Sequence, residues 1–212
     1  FEDSNSGGNS GGTLFTNGTV VVSDSQFIRS NAGSSAGGAI FAGAGLVVTN
    51  SRFEQTIGGT GGTLFSNATA AITNSTFITS TASSGQPGGA LFANGSIAVA
   101  NSRFENSRTD GPGGALFSNS PIALVSTDFI SNSSGAIGGA VFGPVTVTGG
   151  RFERNSGVNG GAIWAQSTTS VISGATFISN TACTGGGGAL FANSPVAIYN
   201  STFMSNTSGG WA

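Results

Sequence analysis

The sequence has little charge, no lysine and no histidine. Six arginines and eight acidic residues leave a net charge of −2 over 212 residues, so neither nucleic acid nor an anionic membrane has an electrostatic reason to bind. Without histidine, and with a single cysteine, the usual zinc sites cannot form. We therefore expect no nucleic-acid partner, no metal and no cofactor.

Cysteine and long apolar runs are also scarce. Cys183 has no partner in the chain for a disulfide, and it lies in a predicted variable loop. It is either an incidental small residue or a covalent bridge to another molecule. No apolar run approaches the roughly 18 residues of a membrane-spanning helix, so no membrane-spanning segment is predicted.

The sequence shows no cluster of carboxylate residues, and this argues against catalysis. Asp24, Asp110 and Asp128 stand in different repeats, and a serine nucleophile would have no histidine base. The lyases and hydrolases built on parallel β-helices use clustered acids, often with calcium or a basic residue. The sequence predicts that the protein is not an enzyme, and a β-helix carbohydrate-active enzyme is a weaker alternative.

Phenylalanine, in contrast, is abundant and regular. All sixteen occupy two recurring positions 22 to 27 residues apart, which indicates about eight repeats that stack each side chain on its counterpart. The Phe27 column comprises Phe1, Phe27, Phe53, Phe77, Phe104, Phe129, Phe152, Phe177 and Phe203. The Phe15 column comprises Phe15, Phe41, Phe65, Phe92, Phe117, Phe142, Trp164 and Phe191.

Each repeat reads as three short strands. In one repeat these are Gly88–Phe92, Ser96–Ala100 and Arg103–Glu105, followed by a loose segment, Asn106–Pro112. Mostly aliphatic residues stand five and seven positions before each Phe27-column residue, which marks the inward side of a strand. The pattern predicts an all-β fold, a right-handed parallel β-helix (a three-sided β-solenoid) of about eight coils of 22–27 residues.

Asparagine marks the predicted corners. It tolerates the left-handed backbone conformation of a sharp corner and can form ladders from coil to coil. The first corner carries Asn17, Asn67, Asn94, Asn119 and Asn193. The second carries Asn50, Asn74, Asn101 and Asn200. Gly-Gly pairs allow a tight bend into the first strand.

Arginine and glutamate flank the Phe27 column only in alternate repeats. Both side chains point outward there and can pair, and the spacing separates like charges along the stack by about 9.6 Å. This Arg/Glu ladder is either a solvated face, which we favour, or a ligand surface. Its members are Arg52, Glu54, Arg103, Glu105, Arg151 and Glu153.

An aliphatic column runs directly beside the Phe15 column. Because neighbours on a strand point to opposite sides, one of the two columns must face outward and leave an apolar strip. Either loops cover this strip or it packs laterally against another copy or a partner, and we favour the latter. The Phe15 column is the candidate interface. The aliphatic members, the Leu14 column, are Leu14, Ile40, Leu64, Leu91, Leu116, Val141, Ile163 and Leu190.

The repeat resembles that of the chlamydial polymorphic outer membrane proteins and their relatives. The shared motifs are Gly-Gly-Ala followed by an aliphatic residue, as at Gly88–Leu91, and Phe-x-x-Asn, as at Phe129–Asn132. Thr13 and Thr63 replace the alanine in two repeats, and hydroxyl residues replace the asparagine in the first four. The resemblance implies a β-helical protein that is secreted or surface-exposed and often adhesive.

Seven Asn-x-Ser/Thr sequons are possible N-glycosylation sites. They lie at Asn17, Asn67, Asn74, Asn94, Asn132, Asn200 and Asn206. An ice-binding solenoid is a further alternative, but it would need a ladder of outward threonines that no column supplies.

We therefore expect residues 1–212 to form one β-solenoid domain, either a segment of a longer rod or a filament subunit. The predicted role is a non-enzymatic, extracellular or cell-surface filament or stalk that associates with itself. An adhesin passenger domain that binds a surface receptor or glycan is the alternative.

Overall fold

A computed structural model describes residues 1–83, 85–166 and 169–209. These residues form 29 short strands and no helix. Strands at the same position in successive repeats pair in parallel, with the Phe27-column and Phe15-column residues in register. This confirms an all-β solenoid of about eight coils. Its predicted right-handedness and three-sided shape stay predictions.

The strands belong to three parallel sheets. The first contains Leu14–Thr16, Ile40–Ala42, Leu64–Ser66, Leu91–Ala93, Leu116–Phe117, Val141–Phe142, Ile163–Ala165 and Leu190–Ala192. The second contains Val20–Ser23, Leu46–Thr49, Ala70–Thr73, Ile97–Ala100, Ile122–Val125, Val145–Thr148, Ser170–Ser173 and Val196–Tyr199. The third contains Gln26–Ile28, Arg52–Gly58, Thr76–Ala82, Arg103–Glu105, Arg108–Thr109, Asp128–Ile130, Ser133–Ser134, Arg151–Glu153, Ser156–Gly157, Thr176–Ile178, Thr181–Ala182, Thr202–Met204 and Thr207–Ser208.

The segment predicted to be loose is partly ordered as strand. Arg108–Thr109, inside the predicted loose segment 106–112, pairs with the preceding and the following coil. A bend separates this strand from Arg103–Glu105. The equivalent bend in every coil lies two residues after the Phe27-column residue. The nine residues at this bend have φ between 52° and 55°. The prediction missed this bend because Arg29, Thr79 and most of the others are not residues that favour a positive φ.

The prediction that asparagine takes a left-handed backbone conformation is right at one corner and wrong at the other. At the second corner Asn50, Asn74, Asn101 and Asn200 have φ between 47° and 50°, which confirms the left-handed conformation. At the first corner Asn17, Asn67, Asn94, Asn119 and Asn193 do not have a positive φ, so the prediction was wrong there. At Asn17 and Asn119 a hydroxyl turn closes this corner instead, because the Thr16 and Ser118 side chains accept the backbone N–H two residues on, at 3.0 and 2.9 Å.

The Phe27 column forms the centre of the core. From Phe53 to Phe177 its side chains are fully buried, and neighbouring rings along the column stack with centroids 4.6–5.2 Å apart. Aliphatic residues of the second sheet such as Val48 and Ile72 point inward against them, as predicted. Each coil thus buries its apolar side only by stacking on its neighbours.

Each Gly-Gly pair is required for two different reasons. The first glycine of a pair, such as Gly113, has a positive φ of 72°, which glycine adopts without strain. The second approaches the next coil so closely that a Cβ on Gly114 would lie 1.8 Å from the carbonyl oxygen of Gly139. The pair therefore sets both the bend and the contact between coils.

The asparagine of the Phe-x-x-Asn motif lies inside the solenoid. Asn132 Nδ2 donates to Asn155 Oδ1 at 3.0 Å, and the pairs Asn155–Asn180 and Asn180–Asn206 repeat this at 2.9 Å. Each amide also donates to a Phe27-column carbonyl and accepts a backbone N–H from the preceding coil. A continuous internal amide ladder results, in which the donors and acceptors of the buried amides are paired.

Hydroxyl groups replace this ladder in the first four coils. Thr13 Oγ1 lies 2.8 Å from Ser30 Oγ, and Thr63 Oγ1 bonds with Thr56 and, at 2.7 Å, with Ser80. Ser107 stands where the two arrangements meet. Its Oγ is buried and has no hydrogen-bond partner among the described residues.

Candidate functional site

The Phe15 column, not the Leu14 column, faces outward. Ile40, Leu64, Leu91 and the next three members of the Leu14 column are fully buried. Phe15 is 53% exposed, whereas most of its column is half-buried and Phe117 and Phe142 are buried. The column therefore has the outward position that the candidate interface requires.

Stacking and loops cover much of this column. Its rings stack from Phe15 to Phe142 and again between Trp164 and Phe191, with centroids 4.4–5.3 Å apart. The loop before the last Gly-Gly pair passes over Phe191, since a Cβ on Gly186 would lie 3.3 Å from that ring. The strip open to a partner is thus smaller than the sequence suggested, and its role as an interface stays a prediction.

A second surface was not singled out by the sequence analysis. The outward residues of the second sheet are uncharged, small apart from Tyr199, and arranged in two columns, and we call them the small-residue face. One column is Val21, Val47, Ala71, Ala98, Ala123, Thr146, Val171 and Ala197. The other is Ser23, Thr49, Thr73, Ala100, Val125, Thr148, Ser173 and Tyr199. The strand alternation that marks the inward residues of the core also marks these outward ones.

Charge is concentrated on the third sheet. Arg52 pairs with Glu54 at 2.8 Å, and Arg103 with Glu105 at 2.8 Å, which confirms the predicted pairing of flanking residues. Arg151 bonds Glu153 at 2.6 Å, and Arg154 bonds the same carboxylate. Because their partners satisfy these partly exposed charges, the ladder fits a solvated face, and a ligand role for it stays a prediction.

A smaller ionic cluster lies at the first coil. Arg29 donates to Asp3 at 2.5 and 2.9 Å and also bonds Glu2. The hydrogen bond from Arg29 lowers the pKa of Asp3, and the same contacts raise the pKa of Arg29. The cluster joins successive coils across the bend at the edge of the third sheet.

The sequons differ in accessibility. Asn17, Asn67, Asn74, Asn94 and Asn200 are exposed, and Asn206 is half-buried. Asn132 is fully buried and its amide is part of the internal ladder, so the fold leaves no space for a glycan there and that candidate is withdrawn. Asn94 Nδ2 donates to Asn67 Oδ1 at 2.7 Å. Two glycans on such adjacent coils would compete for one space.

Groups that could carry chemistry are dispersed. In the described ranges, no three His, Cys, Asp or Glu side chains are grouped so as to hold a metal ion. Cys183 is exposed and unbridged, with Sγ 3.4 Å from Ser156 Oγ. Within the same ranges no helix is long and apolar enough to cross a membrane.

These features define a parallel β-solenoid with an aromatic and amide core and with its charge largely on one sheet. Comparisons with protein-family models, with curated proteins and with solved structures found no match for the chain. Any function must therefore be argued from the surfaces themselves.

Proposed function

We propose that the protein is a non-enzymatic, extracellular structural protein, a β-solenoid that builds a surface filament or fibrous stalk by self-association. The observation that carries this proposal is that the described coils bury their apolar columns by stacking on one another, so the stack can be lengthened by any further coil with the same columns. The first and last described coils show what such a coil would cover. The strands Leu14–Thr16 and Leu190–Ala192 pair on one side only. At the last coil the inward residues Ile198 and Phe203 are 46% and 42% exposed. A further coil with the same columns would cover them.

In the proposal, the Phe1 coil of another copy of residues 1–212 supplies the third-sheet part of such a coil. Phe1, which is 69% exposed and stacks on Phe27 at 4.8 Å, would then stack on Phe203 from the other side. The extracellular location is supported by the resemblance of the repeat to secreted and surface β-helical proteins.

Electron microscopy of the purified chain over a range of concentrations tests the end-to-end contact. We expect filaments with an axial repeat of about 43 Å per copy, because stacking Phe1 on Phe203 repeats the nine-member Phe27 column at about 4.8 Å per coil. Phe203→Glu should abolish them because it places a charge in the end surface. Thr202→Glu, which changes an exposed neighbour on the same strand, is the matched control and should still polymerise. Short particles at high concentration from the wild type would contradict the proposal.

An adhesin that binds a surface receptor or glycan is the second candidate. It is favoured by the rows of exposed amides, in which Asn94 donates to Asn67 and Asn74 donates to Asn50 at 3.3 Å. Such rows offer donors and acceptors to a polar ligand. Short particles that bind cell surfaces or glycan arrays would support this function instead.

A further inference from the structure

We propose that the small-residue face is a docking surface for a second copy of the chain, so that two stacks pair side by side. This inference rests on the proposed structural role and adds to it the partner and surface of lateral association. The end-to-end contact uses different residues, so the two contacts can fail separately.

The distribution of charge favours an uncharged partner. Every charged residue except Asp24 lies in the third sheet, directly after one of its strands, or in or directly after a bridge of its first coil. Asp24 lies at the corner beside the small-residue face, not on it. A charged partner would lose hydration at this face and gain no ion pair. A second copy brings an equally uncharged surface.

The size of the face is sufficient for a specific pair. Eight strands at about 4.8 Å and four residues at about 3.3 Å give about 38 by 13 Å, or roughly 500 Å² per copy. Two copies would then bury roughly 1,000 Å², the lower bound for a specific interface. The exposed apolar residues that the pair would cover include Val21 at 73%, Val125 at 44% and Tyr199 at 57%.

The composition of the face suits close packing of two sheets. Alanine, valine, serine and threonine lose little side-chain entropy on burial, and the parallel pairing already fixes the backbone beneath them. Sheets pack face to face about 10 Å apart, which short side chains allow. A shallow recess of about 140 Å³ over Ala71, Ala98 and Ala123 lies near the middle of the face. A two-fold axis in the plane between two copies brings their central coils together there.

Opposite charges placed at Ala98 provide the test. The full chain is measured by sedimentation for mass and by electron microscopy for particle width. We expect the wild type to be two stacks wide. Ala98→Glu alone and Ala98→Lys alone should weaken pairing at least about 100-fold because each places like charges in the interface. An equimolar mixture of the two variants should restore the double width, which misfolded variants could not do.

Charge added elsewhere is the matched control. Gln55→Glu and Gln55→Lys add the same charges at an exposed corner of the third sheet, and both should pair as the wild type does. Wild-type particles of single width at high concentration would overturn the inference. So would unchanged pairing of Ala98→Glu. Binding of single stacks to ice or to an uncharged polysaccharide would assign the face to that surface and also overturn it.

Lateral and end-to-end association give different images. Long filaments of single width mean that only the lateral pairing has failed. Short particles of double width mean that only the end-to-end contact has failed. Particle length therefore tests the end-to-end contact, and particle width tests the lateral contact.

Discussion

Single residues in the interior compensate for one another. Thr13 replaces the usual alanine in a coil where Ser30 replaces the usual asparagine, and the two hydroxyls bond each other. Thr63 does the same for Thr56 and Ser80. The two departures from the repeat motif thus occur together. Where a hydroxyl residue replaces the asparagine, the threonine at the alanine position provides the hydrogen-bond partner that the asparagine ladder provides in other coils. Ser107 lacks such a partner among the described residues because alanine occupies both equivalent positions, Ala90 in its own coil and Ala115 in the next.

Ser107→Asn should stabilise the protein. The new amide can donate to Asn132 Oδ1 and accept the backbone N–H of Ser80, as the asparagines of later coils do. Pairing a buried polar position should raise the free energy of unfolding by about 1 kcal/mol, measured by chemical denaturation. Ser80→Asn is the control and should destabilise, because Thr63 already occupies its hydrogen-bonding space. A loss of stability in Ser107→Asn would refute this account.

Residue patterns predicted the core better than the corners. Aliphatic and aromatic residues recur because burial tolerates few other types, so the Phe27 column and its neighbours could be placed from the sequence. The bend at Arg29, Gln55 and Thr79 carried no such signal, because stacking imposes the positive φ on residues that do not favour it. At Asn17 and Asn67 the signal misled, because hydroxyl turns supply that corner.

At the scale of the strand, the sequence predicted that the Leu14 and Phe15 columns face opposite ways, because side chains alternate along a strand. It did not predict which of the two columns faces inward. The small-residue face follows from the same alternation in the second sheet, on the side opposite the core.

The approach of neighbouring coils at the Gly-Gly pair gives a second prediction. Gly114→Ala should lower the free energy of unfolding by more than about 3 kcal/mol, because its Cβ would collide with a backbone carbonyl that cannot move freely. Gly45→Ala should be neutral or stabilise by up to about 1 kcal/mol. A Cβ there would meet nothing closer than 3.7 Å. Thermal unfolding of the two variants measures the difference, and equal effects would show that the close approach is not limiting.

At the scale of the whole molecule, the described residues form a linear stack in which the strands of each coil pair only with those of its neighbours. Stability in such a stack is close to a sum of coil and interface terms, so position along the stack should matter as much as residue type. Phe104 is fully buried between two rings, whereas Phe203 is 42% exposed and stacks on one ring. The same side chain therefore contributes differently at the two places.

Phe104→Ala should cost about 3–5 kcal/mol, as expected for a buried phenylalanine, and Phe203→Ala clearly less. Hydrogen exchange read strand by strand distinguishes the two. Phe104→Ala should speed exchange in coils on both sides of the change, whereas Phe203→Ala should affect the last coil alone. Uniform loss of protection in both variants would mean that the stack unfolds as one unit, contrary to this prediction.

The hydrogen bonds between coils run along the stack, and this has a mechanical consequence. A force that pulls the two ends of the chain apart along that direction acts on the hydrogen bonds of one coil-to-coil contact at a time, and these contacts break one after another. Each coil that peels away, such as the 25 residues from Phe104 to Asp128, would release roughly 80 Å of extended chain. Under tension the protein would therefore extend in nearly equal steps, one coil at a time.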